Sequence, residues 1–489
     1  MVPAQEPRKY WRIVMALKVI AVDLDDTLVK TDMLYESFLN AIKKNPLVVF
    51  LVVVWFLRGK AYLKQQLASH FSFEPSILPY NTELLTWLKS EKENGAKLYL
   101  VSASDEKIVG AVAGSVGIFD GYYGTTAERG NLSGGRKAAL LNQEFGEKKY
   151  VYVGNDTVDV PIFRQAESAV AVGTEKTLGK LKKQADLSKT FVLEKNRFKS
   201  ILKMARIHQW VKNLLIFVPI IPARHFFNIN DWLTLALAFL SFSLTASFVY
   251  ILNDLMDLGN DRRNETKKHR PLASGKVSIK LGLICLPLFL LSGIAIGAAV
   301  SAGFLGCLAI YFVVTTLYSF RLKKIAVIDC MLLGFLYTFR MVSGIVAISV
   351  PMSLWFVSFS FLIFFSLAGV KRLSELHNLK VVGKTKTSGR AYTVDDIDFI
   401  SESVISSGFA SVVLFILYVN SEAGARHFVN TYFAYCCTPV LLFWILHVSL
   451  KARRGEMNED PVLYAIRDPV SLAAGILFTV LFACSVVSF

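Results

Sequence analysis

The chain is short of charge. Only 19% of its 489 residues are Asp, Glu, Lys or Arg, against 53% hydrophobic residues and a mean hydropathy of +0.45. Soluble domains carry roughly 45–50% apolar and about 25% charged residues, so an ordinary soluble protein is excluded and a membrane protein is predicted. Cysteine is sparse as well. All six (Cys285, Cys307, Cys330, Cys436, Cys437 and Cys484) lie inside apolar stretches without metal-ligand spacing; they read as small buried hydrophobes and carry no information on redox compartment. His208 and His377 read as loop or interface residues, with no metal assigned to them. The N-terminus lacks a small-residue cleavage site and runs from basic residues into a short apolar strand, so no signal peptide is expected. Negative charge is in the minority, 38 Asp+Glu against 54 Lys+Arg, for a net +16. The basic residues fall in short loops between apolar segments, which fits lipid headgroups and phosphorylated ligands and argues against nucleic acid.

What is there divides in two. Residues 1–195 alternate β-like runs (Val19–Val22, Lys97–Val101, Tyr150–Val153, Ser168–Val172) with helical segments, the pattern of a parallel α/β sheet. Residues 196–489 form a series of apolar segments, with the boundary in the polar stretch near 190–205. About nine spans are predicted, at 210–224, 232–252, 279–298, 301–319, 325–349, 352–370, 401–419, 431–450 and 469–488, several of marginal length. Basic residues precede the first span and follow the second, fourth, sixth and eighth. By the positive-inside rule the N-terminal domain and the loop after the second span are cytoplasmic, at the inner membrane, and the C-terminus faces out.

The first strand ends in Asp23-Leu24-Asp25-Asp26-Thr27, with carboxylates at the carboxyl end of a strand, where α/β sheets bind ligands. Ser102 follows at the end of a second strand, Lys137 stands in GGRKAAL, and an acidic cluster follows in YVGNDTVDVPIF. This set, in this order, resembles the haloacid dehalogenase-like (HAD) phosphatases, whose first motif is DxDxT. The resemblance implies a Rossmann-like parallel sheet with a cap inserted at about 33–90. It makes Asp23 the nucleophile and Asp25 the general acid/base. Thr27, Ser102 and Lys137 would bind the phosphoryl group, with Mg2+ held by Asp23, Asp25 and the acidic loop. The family's GDxxxD is here Gly154-Asn155-Asp156-Thr157-Val158-Asp159. Asn155 therefore stands at the usual ligand carboxylate position, and Asp156 or Asp159 would take over; a domain that only binds is the alternative. In the cap, Asn45–Arg58 contains twelve successive apolar residues, too few to span a bilayer. Either it dips into the membrane surface, flanked by Lys43, Lys44, Arg58 and Lys60, or it forms the core of the cap.

In the second half, Asn253, Asp254, Asp257 and Asp261 (NDLMDLGND) are spaced by three and four residues, one face of a helix at the end of an apolar segment. Carboxylates in a membrane cost about 2.5–3.5 kcal/mol each at its centre, and oxygen-only ligands suit Mg2+ shared with substrate phosphates. The basic run Arg262, Arg263, Lys267, Lys268, His269 and Arg270 follows directly.

This half resembles the UbiA superfamily of intramembrane prenyltransferases, all-α membrane bundles whose first motif is NDxxDxxxD; Gln209-Trp210-Lys212-Asn213 also match at the first span. Members usually carry a second Asp-rich motif. Here the corresponding stretch is AGVKRLSELH, with Lys371 and Arg372 and a single carboxylate, Glu375. With FLYTFRMVSG (Arg340), SLWF and AIRDPV it resembles the decaprenyl-phosphate phosphoribosyltransferase branch. That resemblance implies transfer of 5-phosphoribose from phosphoribosyl pyrophosphate to a polyprenyl phosphate, followed by removal of the 5-phosphate by the HAD domain. Mg2+ would lie on Asp254, Asp257 and Asp261, with Asp254 and Asp257 central to catalysis. Lys212, Asn213, Asn253, Lys267, Arg270, Lys371 and Arg372 would contact substrate. Glu375 would position Arg372 or a ribose hydroxyl, Tyr392 would bind phosphate, and Arg340 would pair with Asp329 or reach the lipid phosphate. The alternatives are prenyl transfer from a prenyl diphosphate to a small acceptor, or a non-catalytic carrier. Chain length of the lipid and oligomeric state are not readable.

Overall fold

The computed structural model describes residues 18–70, 74–193, 197–387, 390–457 and 461–486. The N-terminal segment without a cleavage site and residues 194–196 of the expected boundary lie outside them. The chain forms two compact units, Met1–Met204 with Ile251–Ile284, and Ala205–Tyr250 with Cys285–Phe489. The Asp-rich stretch, read from hydropathy as wholly part of the membrane half, thus packs with the N-terminal sheet domain. Hydropathy divides the chain by solvent preference, whereas the polar side chains after Met256 find their partners on the first unit.

In that unit β1 (Val19–Val22), β2 (Lys97–Asp105), β3 (Gly121–Thr125), β4 (Tyr150–Gly154), β5 (Ser168–Gly173) and β6 (Lys189–Val192) form one parallel sheet. Its order is β3-β2-β1-β4-β5-β6. The helices are α1 (Met33–Lys44), α2 (Val48–Leu57), α3 (Lys60–Ser69), α4 (Thr82–Glu93), α5 (Glu106–Val116), α6 (Gly135–Phe145), α7 (Val160–Gln165) and α8 (Glu175–Lys182). Side chains alternate across the strands, so Ile20 and Val22 join one core with Leu98, Leu100, Val151 and Val153. Ala21 joins the other, with Val101, Tyr150 and Tyr152. The order runs outward from β1 one way and from β4 the other, so the carboxyl ends of these two strands flank the crevice where such sheets bind ligands. Two strands were not expected from the sequence. β3 (GYYGT) contains two glycines and β6 is a four-residue edge, and neither gives an apolar run.

The cap is smaller than 33–90. Ala41, Val48, Leu63 and Leu67 gather α1, α2 and α3 into a cluster of their own, while α4 buries Leu84 and Leu88 in the sheet's core.

The remaining helices are α9 (Arg197–Met204), α10 (Ile220–Ala223), α11 (Ile229–Met256), α12 (Leu258–Arg263), α13 (Ile279–Val300), α14 (Ala302–Phe320), α15 (Ile328–Ala347), α16 (Leu354–Val381), α17 (Ile397–Val419), α18 (Glu422–His427), α19 (Thr431–Arg453), α20 (Pro461–Arg467) and α21 (Pro469–Val486). Among the described residues eight helices are long and apolar enough to cross a membrane: α11, α13, α14, α15, α16, α17, α19 and α21. The protein is an integral membrane protein. The ninth expected span, 210–224, falls in a shorter apolar helical stretch, Ile207–Ala223, made of a 3-10 segment, Ile207–Phe217, followed by the four-residue α10. Pro219 and Pro222 interrupt its hydrogen bonding, and Lys212 and Asn213 point inward. Small residues let the membrane helices approach: a Cβ on Gly369 would come within 2.5 Å of Val404, and one on Gly408 within 2.6 Å of Ile445.

Candidate active sites

At the sheet's crevice β1 delivers Asp23, whose backbone N–H donates to the Val153 carbonyl at 2.9 Å. The chain then turns sharply, with Asp26 in the left-handed region at φ 51°. The turn brings back Thr27, its hydroxyl 3.5 Å from Asp23 Oδ2. Lys137 Nζ, from α6, donates to Asp23 Oδ1 at 2.8 Å and to the Tyr152 hydroxyl at 3.1 Å. Asp25 is held by three donors: Ser102 Oγ at 2.9 Å, Ser104 Oγ at 2.8 Å and the Met33 N–H at 2.7 Å. Asp23, Asp25, Thr27, Ser102 and Lys137, scattered over 115 residues of sequence, therefore meet in one place.

Burial pushes the Asp23 carboxyl up to about 7; Lys137 opposes the shift, while Asp159 and Asp25 add to it. Burial alone would lower the Lys137 ammonium, yet Asp23 and Asp159 hold it above its ordinary value. Three contributors went unread in the sequence. Ser104 stands two residues beyond Ser102 on the same strand face. Tyr152 bridges Lys137 and Asp159, donating to Asp159 Oδ1 at 3.1 Å. Lys64, from cap helix α3, reaches in to the Ala103 carbonyl at 2.6 Å and Asn131 Oδ1 at 2.8 Å; no motif marks it.

The acidic loop after β4 corrects one expectation. Asp159 accepts from the backbone N–H groups of Asn155 and Asp156 at 3.1 and 3.3 Å and from Tyr152. It serves to shape the loop, which removes it as a ready metal ligand. Asp156 caps its own short helix through Thr157. An all-oxygen set drawn from Asp23, Asp25 and Asn155 or Asp156 fits a hard cation, and the Asp23 carboxyl, raised first by burial and then by its acidic neighbours, would be relieved by one. Among the described residues no three His, Cys, Asp or Glu side chains form a ready cage. Much of a Mg2+ shell at either site would therefore come from water and substrate phosphate.

In the Asp-rich stretch, α11 ends at Met256 and α12 begins at Leu258, with Asp257 between them at the N-cap position, its side chain making no capping hydrogen bond. Asp254 and Asp261 are buried, and Arg270 joins them, its Nη1 donating to Asp254 Oδ1 at 3.0 Å and to Asp261 Oδ2 at 2.7 Å. Burial raises the Asp261 carboxyl, with Arg270 opposing. Asn253 and the half-buried Asp257 stand on the same segment, and Lys267 is exposed at the following turn. Two buried carboxylates and one guanidinium leave net negative charge, and all the ligand atoms are oxygens, so this set also fits Mg2+.

Within the second unit two polar clusters emerge. Asn213 donates to Ser243 Oγ at 2.9 Å and accepts from Arg340 Nε at 2.8 Å. The Arg340 guanidinium lies between Phe242, Tyr311 and Tyr337, and Lys212 Nζ lies 5.7 Å from the centre of the Tyr337 ring. The expected Arg340–Asp329 pair is not formed. Asp329 instead binds Arg372 through both carboxylate oxygens and accepts from the Tyr318 hydroxyl at 2.8 Å. Arg372 Nη1 donates to Glu375 Oε2 at 2.7 Å, and Arg390 donates to the same oxygen at 2.6 Å. Arg372 is only 1% exposed, so the guanidinium expected on a phosphate is committed to Asp329 and Glu375. Lys371, beside it, is half-buried. Tyr392 is also drawn inward: its hydroxyl accepts from the Val327 N–H at 2.8 Å and lies 3.4 Å from Cys330 Sγ, which removes it as a phosphate ligand. An apolar cavity of about 710 Å³ opens in the same unit, lined by Met341, Phe359, Ile363, Leu441, Trp444 and Phe478 among others.

Residues 223–464 match the model of the UbiA prenyltransferase family. Uncharacterized protein y4nM of Sinorhizobium fredii (strain NGR234) is 33% identical over 458 residues, 93% of this chain and 88% of that one. Decaprenyl-phosphate phosphoribosyltransferase of Mycobacterium tuberculosis is 28% identical over 281 residues, 56% of this chain and 90% of that one. Among solved structures, a UbiA homolog from Archaeoglobus fulgidus bound to GPP and Mg2+ aligns with 58% of this chain and 98% of its own, at 16% identity and TM-score 0.43. A phosphoserine phosphatase in apo form aligns with 38% of this chain and 98% of its own, at 19% identity and TM-score 0.27.

Proposed function

The chain belongs to the UbiA prenyltransferase family, and from that premise we propose that it transfers 5-phosphoribose from phosphoribosyl pyrophosphate to a polyprenyl phosphate, and that its sheet domain then removes the 5-phosphate. The observation that carries the reading is the 281-residue similarity to a decaprenyl-phosphate phosphoribosyltransferase, covering 90% of that protein. The AGVKRLSELH stretch in place of a second acidic motif is in keeping with it.

In the transfer, the bond from the anomeric carbon to pyrophosphate breaks and a bond to the lipid phosphate oxygen forms on the opposite face. Bound to Asp254, Asp257 and Asp261, Mg2+ would neutralise the departing pyrophosphate. Arg270 is positioned to exchange its carboxylates for the pyrophosphate as the donor binds, joined by Lys267. The apolar cavity of about 710 Å³ suits a polyprenyl chain.

In the second reaction Asp23 attacks phosphorus, the bond to the ribose 5-oxygen breaks, and Asp25 gives that oxygen its proton. Water, deprotonated by Asp25, then releases phosphate from the aspartyl ester. Lys137 at 2.8 Å from Asp23, together with Ser102, supplies the charge and donors a transferring phosphoryl group needs. Its cation would draw on Asp23, Asp25 and Asn155 or Asp156. Basic residues in every second loop of the membrane half support cytoplasmic placement of both sites at the inner membrane. One chain then raises the effective concentration of the second site for the first product to about the mM range.

The test is pyrophosphate release by the purified protein with Mg2+ and polyprenyl phosphate, offered phosphoribosyl pyrophosphate or a prenyl diphosphate, with Asp254→Asn as control. Release only with the first donor supports the reading. Release only with prenyl diphosphate and an aromatic acceptor makes the chain an ordinary prenyltransferase.

A further inference from the structure

Helix α2 reads VVFLVVVWFL and buries only one stripe. Val48, Val52 and Trp55, at steps of four and three, pack against α1 and α3. The rest of its surface is apolar and uncovered: Phe50 is 74% exposed and Leu57 80%, and Val53, Val54 and Phe56 lie exposed beside them. Soluble monomers rarely leave such a continuous patch open. At ten residues α2 is about 15 Å long, half of what crosses a bilayer.

Its surroundings identify the partner. α1, which precedes α2 by three residues, is tied through Glu36 to Arg262. Arg262 lies in the segment joining two membrane-length helices, α11 and α13. The cap is therefore anchored at the place where the chain leaves and re-enters the membrane. Lys44, Arg58 and Lys60 bracket the apolar helix and are exposed, matching anionic headgroups.

We propose that α2 is an interfacial anchor, lying in the boundary between headgroups and acyl chains of a phospholipid bilayer with Phe50, Val53, Val54 and Leu57 in the lipid. This holds whatever group the membrane unit transfers. It also places the mouth of the sheet-domain site beside the lipid surface, because α3, the next helix of the cap, carries Lys64 into that site.

The test uses the full chain in nanodiscs of phosphatidylcholine and phosphatidylglycerol, with an environment-sensitive fluorescent amino acid at Phe50, at Leu57 or, as control, at the exposed Tyr122 of β3. Probes at Phe50 and Leu57 should be quenched several-fold more by bromine-labelled acyl chains than by aqueous iodide, with the reverse at Tyr122. Placing a probe at Val53 in the double variant Phe50→Asp/Leu57→Asp should restore quenching by iodide. Iodide quenching of Phe50 and Leu57 equal to that of Tyr122 overturns the proposal. So does shielding of both positions from bromolipid and iodide alike, which would mean that protein, such as a second copy of the chain, covers the helix.

Discussion

Glu36 of α1 and Arg262 of α12, 226 residues apart in sequence, form a 2.5 Å ion pair with side chains 4% and 5% exposed. Thr31 donates a second hydrogen bond to the same Glu36 oxygen at 2.8 Å. Nearby, Gly275 sits at φ +71°, and a Cβ there would come within 2.4 Å of the Lys30 carbonyl oxygen. The Asp-rich segment is therefore fitted to the sheet domain at two points. Removing one partner of a buried pair leaves the other charge desolvated, at a cost of about 3–5 kcal/mol. Glu36→Gln should thus lower the thermal unfolding temperature in detergent strongly, and Glu36→Gln with Arg262→Met should recover much of the loss. Additive losses in that double-mutant cycle would show that the two side chains do not interact.

Arg270 stands where a cation is needed between Asp254 and Asp261. Arg270→Ala leaves two buried carboxylates without that partner, a destabilisation on the order of 1–3 kcal/mol. Added Mg2+ should reverse it, since a ligand at about 100 times its Kd contributes about 2.7 kcal/mol. Thermal unfolding with EDTA and with Mg2+ should show a larger Mg2+ shift for Arg270→Ala than for the parent protein. Equal shifts would argue that no Mg2+ binds there.

The sequence made the sheet-domain site readable because its residues sit at strand ends, where backbone alternation and strand order leave few places for a side chain to go. Asp23, Asp25, Ser102 and Lys137 met as expected. Lys64 and Tyr152 did not announce themselves: one comes from a cap whose docking no local pattern encodes, and the other looks like an ordinary strand aromatic. The same limit explains Arg372. A Lys-Arg pair in a loop-like motif suggests an anion site, but only tertiary structure shows that Asp329, 43 residues earlier, already claims the arginine. At 210–224 the apolar composition is visible locally, while the 3-10 geometry and the inward turn of Lys212 and Asn213 depend on partners such as Ser243 and Tyr337.

Asn155 offers a direct test of metal use in the sheet domain. Asn155→Asp adds a carboxylate at the loop after β4, beside Asp23 and Asp25, and hard cations bind carboxylate more strongly than amide oxygen. The Mg2+ concentration giving half-maximal phosphate release should fall. Asp23→Asn should abolish phosphate release while leaving pyrophosphate release intact, and Lys137→Met should lower the phosphatase rate by about 10²–10³. If Asn155→Asp leaves the Mg2+ dependence unchanged, the cation does not use this loop.

The neighbours Lys371 and Arg372 should separate cleanly. Arg372 is buried against Asp329 and Glu375, so Arg372→Met strands the Asp329 carboxylate, which is 0% exposed, and should cost about 3–5 kcal/mol of stability. Replacing Asp329 with Asn in the same chain should return part of it, as expected of a coupled pair. Lys371 is less enclosed. Lys371→Ala should cost clearly less stability than Arg372→Met, because Lys371 is half-buried and acts on Glu375 through its charge, whereas Arg372 fills the buried network. Its effect should fall on the donor instead, raising the KM for phosphoribosyl pyrophosphate with little change in kcat, the signature of lost uniform binding. The opposite pattern, a stable Arg372→Met with a raised donor KM, would return the arginine to the substrate and identify its contacts with Asp329 and Glu375 as those of a site waiting for its anion.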